Sequence, residues 1–189
     1  AAAILQRVQA AGVVGMGGAG FPTHVKLAAE ADTVLANGAE CEPLLWSDKQ
    51  TLLRWSDEVI AGVELAMAAV GAERGVIGVK AKYTEVVGAV RKALAARGAD
   101  TPRVELYELR NFYPAGDEFS LVQQVLGRTI PEQGLPLHVG VVVSNVGTLQ
   151  AVARAVQREE PLTSRLVSVV GEVREPIVVE APVGTPVSA

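Results

Sequence analysis

Four glycines in six residues, Gly15, Gly17, Gly18 and Gly20, followed by Phe21, mark the part of this chain best suited to chemistry. Glycine loses more conformational freedom on folding than any other residue, so such a run is costly unless backbone must approach something closely. A loop of this kind that runs into a helix aims several N–H groups at one point, where an anion such as a phosphate can sit. Gly15, Gly17 and Gly20 satisfy G-x-G-x-x-G literally. Yet the residues before them carry Ile4, Val8 and Ala11 in a helical stripe, whereas the dinucleotide fingerprint follows a strand. The local pattern therefore leaves a mononucleotide and a dinucleotide phosphate equally open, with a plain turn between helices as the structural alternative. Lys26, expected about two turns into a helix that opens at Pro22, is placed to reach back to the phosphate.

Polar segments also follow strand ends, the edge at which open α/β sheets bind ligands. In Asn37-Gly38-Ala39-Glu40-Cys41-Glu42-Pro43, Glu40 and Glu42 suit hydrogen bonds to a sugar diol or a nucleotide ring, and Asn37 offers both donor and acceptor. Paired carboxylates also serve glycoside hydrolysis, but no neighbouring pattern supplies a sugar groove. Tyr113-Pro114-Ala115-Gly116-Asp117-Glu118 brings Gly116, Asp117 and Glu118 to a helix start, where acids can simply complement the dipole. Ser144-Asn145-Val146-Gly147-Thr148 contributes Asn145, equally suited to capping, and Thr148. Lys80 and Lys82 close another strand with charge able to screen a phosphate. Cys41 reads as buried filler, and His24 and His138 lack metal-ligand spacing. Each segment alone has a purely structural explanation; their shared position at strand ends does not.

The elements that must position these residues alternate. Strands are expected at Asp32–Ala36, Gly75–Lys80, Arg103–Leu109 and Val139–Val143. Helices are expected from a Ser47-x-x-Gln50 capping box, over Asp57–Val70 with Val59, Val63, Ala66, Met67 and Val70 inward, and over Thr84–Ala96, Asp117–Leu126 and Val146–Val156. Strands alternating with helices of this length define the fold class as α/β: a three-layer, Rossmann-like, mainly parallel sheet over residues 1–160. Beyond Glu160-Pro161 the texture turns to Val-rich strands, Leu166–Val170 and Pro176–Val179, which read as the incomplete start of a β-rich module over residues 161–189.

Composition narrows the function classes. The 189 residues carry a net charge of −4 without a basic run, which argues against nucleic acid as a partner. No apolar stretch is long enough to insert into a membrane, and no signal-peptide pattern opens the chain. A single cysteine excludes an internal disulfide, points to a reducing compartment, and cannot by itself hold an iron–sulfur cluster. A start without Met, inside a helical pattern, suggests a piece of a longer protein.

Taken in order, the strings Gly15–Thr23, Asn37–Pro43, Tyr113–Glu118 and Asn145–Leu149 resemble the RnfC/PduS family, related to the flavin- and NADH-binding subunit of respiratory complex I. The tail, Arg165–Val187, resembles the start of that family's β-grasp (SLBB) module. The resemblance implies FMN on the glycine-rich loop with NADH stacked on its ring, and hydride transfer between them. Matched residue by residue, it implies that Gly15, Gly17, Gly18, Lys26, Asn37, Asn145 and Thr148 hold FMN. Phe21 and Glu42, joined by Asp117 and Glu118, would face the nicotinamide nucleotide, and Glu40 and Gly116 complete the cofactor-binding set. No catalytic side chain is implied, because the cofactor carries the chemistry. Iron–sulfur clusters are expected only beyond this chain. The implied partners are other subunits of an electron-transfer complex. The implied location is the cytoplasm, at the inner face of the membrane or inside a bacterial microcompartment. Two other classes stand beside this one. A cofactor-poor docking module would leave the glycine loop unexplained, and a plain nicotinamide dehydrogenase lacks a positioned His–Asp or Tyr–Lys pair.

Overall fold

Strands without a polar face must be covered on both sides, and that requirement organises the molecule. The computed structural model describes residues 1–97 and 104–187. Helix α1 (Ala2–Ala10) precedes the glycine loop, and the single turn α2 (Thr23–Lys26) follows it. Then come β1 (Thr33–Asn37), α3 (Ser47–Val70), β2 (Arg74–Lys80), α4 (Thr84–Ala95), β3 (Val104–Leu109) and α5 (Glu118–Leu126). Strand β4 (Val141–Asn145), helix α6 (Val146–Arg158) and a hairpin of β5 (Ser164–Val169) and β6 (Ile177–Pro182) complete the chain.

The four long-sheet strands run parallel in the order β3-β2-β1-β4, and β5-β6 forms a separate antiparallel pair. On one face α1, α3, α4 and α6 bury Val59, Val63, Val90, Leu149 and Val152 against Val34, Ala36, Ile77 and Val142. On the other, Leu121, Val122 and Val125 of α5 pack on Leu35, Val76 and Val143. The expected three-layer α/β arrangement is therefore present.

Several boundaries differ from expectation. The helix expected from Pro22 stops after one turn, so Lys26 is its last residue and not two turns in. The two helices expected across 48–70 abut as α3, broken only at Trp55 (φ −137°, ψ 36°). The hydroxyls of Thr51 and Ser56 bond back to the carbonyls of Ser47 and Leu52 there, a pattern that bends helices. The capping box does not form: Trp46 is the N-cap, and the Ser47 hydroxyl meets Ser168 Oγ of the hairpin at 2.9 Å. Strand β4 starts two residues late, because Pro136–Val139 makes a 3-10 turn ended by Gly140 at φ 75°. It extends instead to Asn145. Arg103, expected to open β3, lies outside the described residues.

Helices α3 and α6 touch backbone to backbone. A Cβ on Gly62 would stand 1.9 Å from the Leu149 carbonyl oxygen. Beside this contact Glu58 of α3 gathers Arg154 Nε (2.8 Å), Arg158 Nη2 (2.9 Å) and Gln150 Nε2 (3.1 Å) of α6. Burial alone would raise the Glu58 carboxyl; the hydrogen bonds from Arg154 and Gln150 and the arginine charges outweigh it and hold it low. Gly62→Ala forces these helices apart, so the expected loss is about 3 kcal/mol or more. Urea denaturation checks this: the midpoint should fall with the slope unchanged.

Candidate functional site

Strand β1 lies between β2 and β4, so the connections leaving its end and that of β4 diverge and open a crevice at the carboxyl edge. Asn37 and Asn145, the last residues of these strands, are register partners across it. The crevice is a cleft of about 560 Å³, within the range of small-molecule sites. Gly15, Gly17, Gly18, Phe21, Lys26, Asn37, Glu40, Glu42, Gly116, Asp117, Glu118, Asn145 and Thr148 all line it. Residues drawn from four distant strings thus share one space.

The glycine loop is pinned, not free. Val14 and Pro22 form a bridge, the Gly15 N–H donates to the Phe21 carbonyl (2.9 Å), and the Met16 N–H donates to Thr148 Oγ1 (2.9 Å). Between these anchors Gly18 sits at φ +136° and Gly20 at φ +64°, and a Cβ on either would meet nothing within 4 Å. Both therefore face open space in a conformation that side chains disfavour. A single helical turn supplies little dipole, so α2 offers an anion little beyond what the loop amides offer. Lys26 Nζ donates to the Val143 carbonyl at 3.0 Å, which fixes its charge beside the end of β4.

Several other predicted site residues act first as framework. Asn37 Nδ2 donates to the Gly116 carbonyl (2.8 Å), and the Gly116 N–H donates to Cys41 Sγ (2.8 Å). Cys41 is therefore a cleft-lining clamp and not filler. A Cβ on Gly116 would lie 2.9 Å from both Ala39 Cβ and Cys41 Sγ, so only glycine lets these two loops close. Asp117 caps α5 through the Ser120 N–H (3.1 Å), and Glu118 stands in the first turn. Tyr113 Oη donates to Glu42 Oε1 at 3.4 Å across the exposed mouth. Asn145 caps α6 by accepting the Gly147 N–H (2.9 Å). Glu40, only 8% exposed at φ 40°, accepts the Lys49 N–H (3.0 Å) and so supplies the side-chain acceptor for α3 that Ser47 does not.

Sequence reasoning missed three contributors. Thr23 lines the cleft at 2% exposure with a hydroxyl that has no hydrogen-bond partner among the described residues, a cost that a ligand acceptor would relieve. Its position after Phe21-Pro22 was the only available signal. Arg165 of β5 reaches over the loop, its Nη2 donating to the Met16 carbonyl at 3.3 Å. Asp48 accepts Asn145 Nδ2 on both carboxylate oxygens, at 3.0 and 2.9 Å. Burial, then the neighbouring Glu40 charge, push Asp48 up to about 7, only partly offset by Asn145, Arg165 and Lys49. The cleft thus carries cations (Lys26, Arg165) and carboxyls (Glu40, Glu42, Asp48, Asp117, Glu118) in its wall. Among the described residues no cluster could hold a metal ion, and no helix is long and apolar enough to cross a membrane.

A parallel sheet with a glycine cradle at its switch point defines a nucleotide-cofactor domain. The family model of the Nuo51 FMN-binding domain, of the complex I 51K type, matches residues 8–154. The chain belongs to that family, whose members are electron-transfer oxidoreductase domains. It is 45% identical over 181 residues to the cobalamin reductase PduS of Citrobacter freundii, covering 96% of this chain and 39% of that protein. It is 41% identical over 189 residues to a component of the Na+-translocating ferredoxin:NAD+ oxidoreductase complex of Acetobacterium woodii, covering 97% and 42%. A crystal structure of an NAD+-reducing nickel–iron hydrogenase in the H2-reduced state matches with a TM-score of 0.80 at 29% identity, over 96% of this chain and 37% of that one. The chain thus spans about two-fifths of the length of the curated relatives it matches.

The Asp48 shift has a direct consequence for stability. The folded state keeps this proton above the ordinary value of 3.8, so its stabilising contribution is fully present below 3.8 and is lost as pH rises towards 7. Relative to Asp48→Asn, the native chain should lose stability across that window, and the two should run parallel above it. Urea midpoints measured at several pH values check this; a difference that ignores pH would contradict the assignment.

Proposed function

We propose that this domain binds FMN with its phosphate on the Gly15–Phe21 loop, accepts reducing equivalents from NADH, and hands electrons to one-electron carriers outside this chain. The observation that carries the reading is the convergence of the pinned glycine loop and three polar loops on the crevice between β1 and β4. The residues present fit such a cofactor. Gly18 and Gly20 leave backbone open to close approach, Thr23 offers an unused hydroxyl, and Lys26 a positive charge. Bound flavin would supply the redox chemistry, taking hydride from nicotinamide C4 at its N5.

The chain's own side chains bind and orient. The amides of the glycine loop, Thr23 and Lys26 hold the phosphate. Asn37, Asn145 and Thr148 fix the loops that form the floor, with Gly116 closed against Cys41. Exposed Phe21 (48%) offers an aromatic face at the mouth for the second nucleotide. Glu42, Asp117 and Glu118 supply acceptors there for its ribose or carboxamide. Within the longer protein, iron–sulfur centres and other subunits take the electrons onward. The setting that goes with this reading is cytoplasmic, at the inner face of a membrane or inside a microcompartment.

Fluorescence titration with FMN, followed by anaerobic NADH and visible spectroscopy, tests the whole reading: saturable quenching and then bleaching are expected. Absence of flavin binding would leave the cofactor-poor docking module. Gly17→Ala separates cradle from fold, because its Cβ would lie an ordinary 3.5 Å from Asn145 Cβ. The variant should fold normally and bind FMN at least about 10-fold more weakly, about 1.4 kcal/mol. Glu42→Gln should keep FMN affinity while NADH bleaches the flavin at least several-fold more slowly; an unchanged rate removes Glu42 from the nicotinamide side.

A further inference from the structure

The cofactor reading leaves the Asp48 carboxyl without a task. It is the second residue of α3, beside the N–H that Glu40 occupies, and among the described residues its oxygens bond only to the amide of Asn145. Asp48 lines two spaces at once. One is the cleft; the other is a smaller cavity of about 60 Å³ beneath the hairpin, walled in part by Thr51, Gln150, Arg154, Glu160, Arg165 and Glu180. That volume and that polar wall suit a few water molecules. A carboxyl that joins a polar cavity of water-holding size to a redox cleft stands where a proton can enter without passing the cofactor's exposed mouth.

Three of the other cleft acids, Glu40, Asp117 and Glu42, are occupied or exposed, and Glu118 does not line the smaller cavity. Glu40 holds the Lys49 N–H, Asp117 caps α5, and Glu42 lies open at the rim. Asp48 alone among them combines partial burial, a nearby like charge from Glu40, and access to the second cavity. The charges that face it are Glu40, Lys49 on its own helix and Arg165 on β5, with Arg154, Glu160 and Glu180 across the small cavity.

We propose that Asp48 is the proton-accepting residue of this site, taking up one proton through the small cavity when the bound flavin is reduced and releasing it on reoxidation. The inference rests on the FMN reading above. Hydride transfer moves two electrons and a proton from NADH and leaves the flavin with one added negative charge. A proton from water then converts the Asp48 carboxylate to the acid, so the net charge of the site is conserved. When two electrons leave for external one-electron acceptors, the flavin proton and the Asp48 proton both return to solvent. The carboxyl is poised for this because burial and Glu40 already bring it to about 7, and an added negative charge nearby raises it further.

The test uses this chain loaded with FMN and reduced without oxygen in weakly buffered indicator dye slightly above neutral pH. The native chain should take up more protons per flavin than Asp48→Asn, by up to one. Equal uptake overturns the proposal. Redox-difference infrared spectra of native chain carrying 13C-labelled aspartate give a second readout, needed if the variant does not fold. A protonated-carboxyl band that shifts with the label should appear on reduction, and its absence sinks the role of Asp48. If the native chain binds no FMN in the preceding titration, the cofactor reading fails and takes this inference with it. Bound flavin with no Asp48 signal removes only the inference.

Discussion

Everything at the functional edge depends on where β4 pairs. By lying beside β1 on the side away from β2, it sets Asn37 against Asn145 and forces their outgoing loops apart. Had β4 extended the sheet beyond β3, the same loops would have lain side by side with no crevice between them. The price of this placement is a strand buried on both faces, which Val141–Val143 meet with apolar side chains, and a helix, α6, that must lie tight on α3. Gly62 permits that tightness, and the Glu58 cluster locks the register of the two helices.

The site is consequently a frame first and a set of ligands second. Asn37, Gly116 and Cys41 bind two loops to each other; Asn145 and Thr148 tie the start of α6 to Asp48 and to the glycine loop. Preorganised geometry of this kind spares a ligand the cost of ordering the backbone that receives it. What stays open is correspondingly specific: the amide face at Gly18 and Gly20, the Thr23 hydroxyl and the aromatic rim at Phe21.

The alternation of strands and helices was legible because Val-rich runs and helical stripes differ in period, and all the stripe residues of α3 face the core as expected. The strings that form the cleft were legible because each sits where a strand ends. Three misreadings share one cause, contacts far apart in the chain. Ser47 looks like a capping residue until Ser168 engages it across the hairpin. Cys41 looks inert until the Gly116 amide is brought to it, and Asp48 is unremarkable until Asn145 arrives from 97 residues away. No local pattern encodes such meetings.

The hydrogen bond from the Met16 amide to Thr148 spans 132 residues. The glycine loop near the amino end therefore borrows part of its order from a helix made near the other end. During synthesis the loop emerges early with only its local Val14–Pro22 and Gly15–Phe21 contacts until α6 has left the ribosome and docked on α3, since a contact of such long range forms only after the intervening chain closes. Cofactor capture is then a late step in the life of a nascent chain, and an arrested polypeptide ending before α6 would carry the glycines without the cradle.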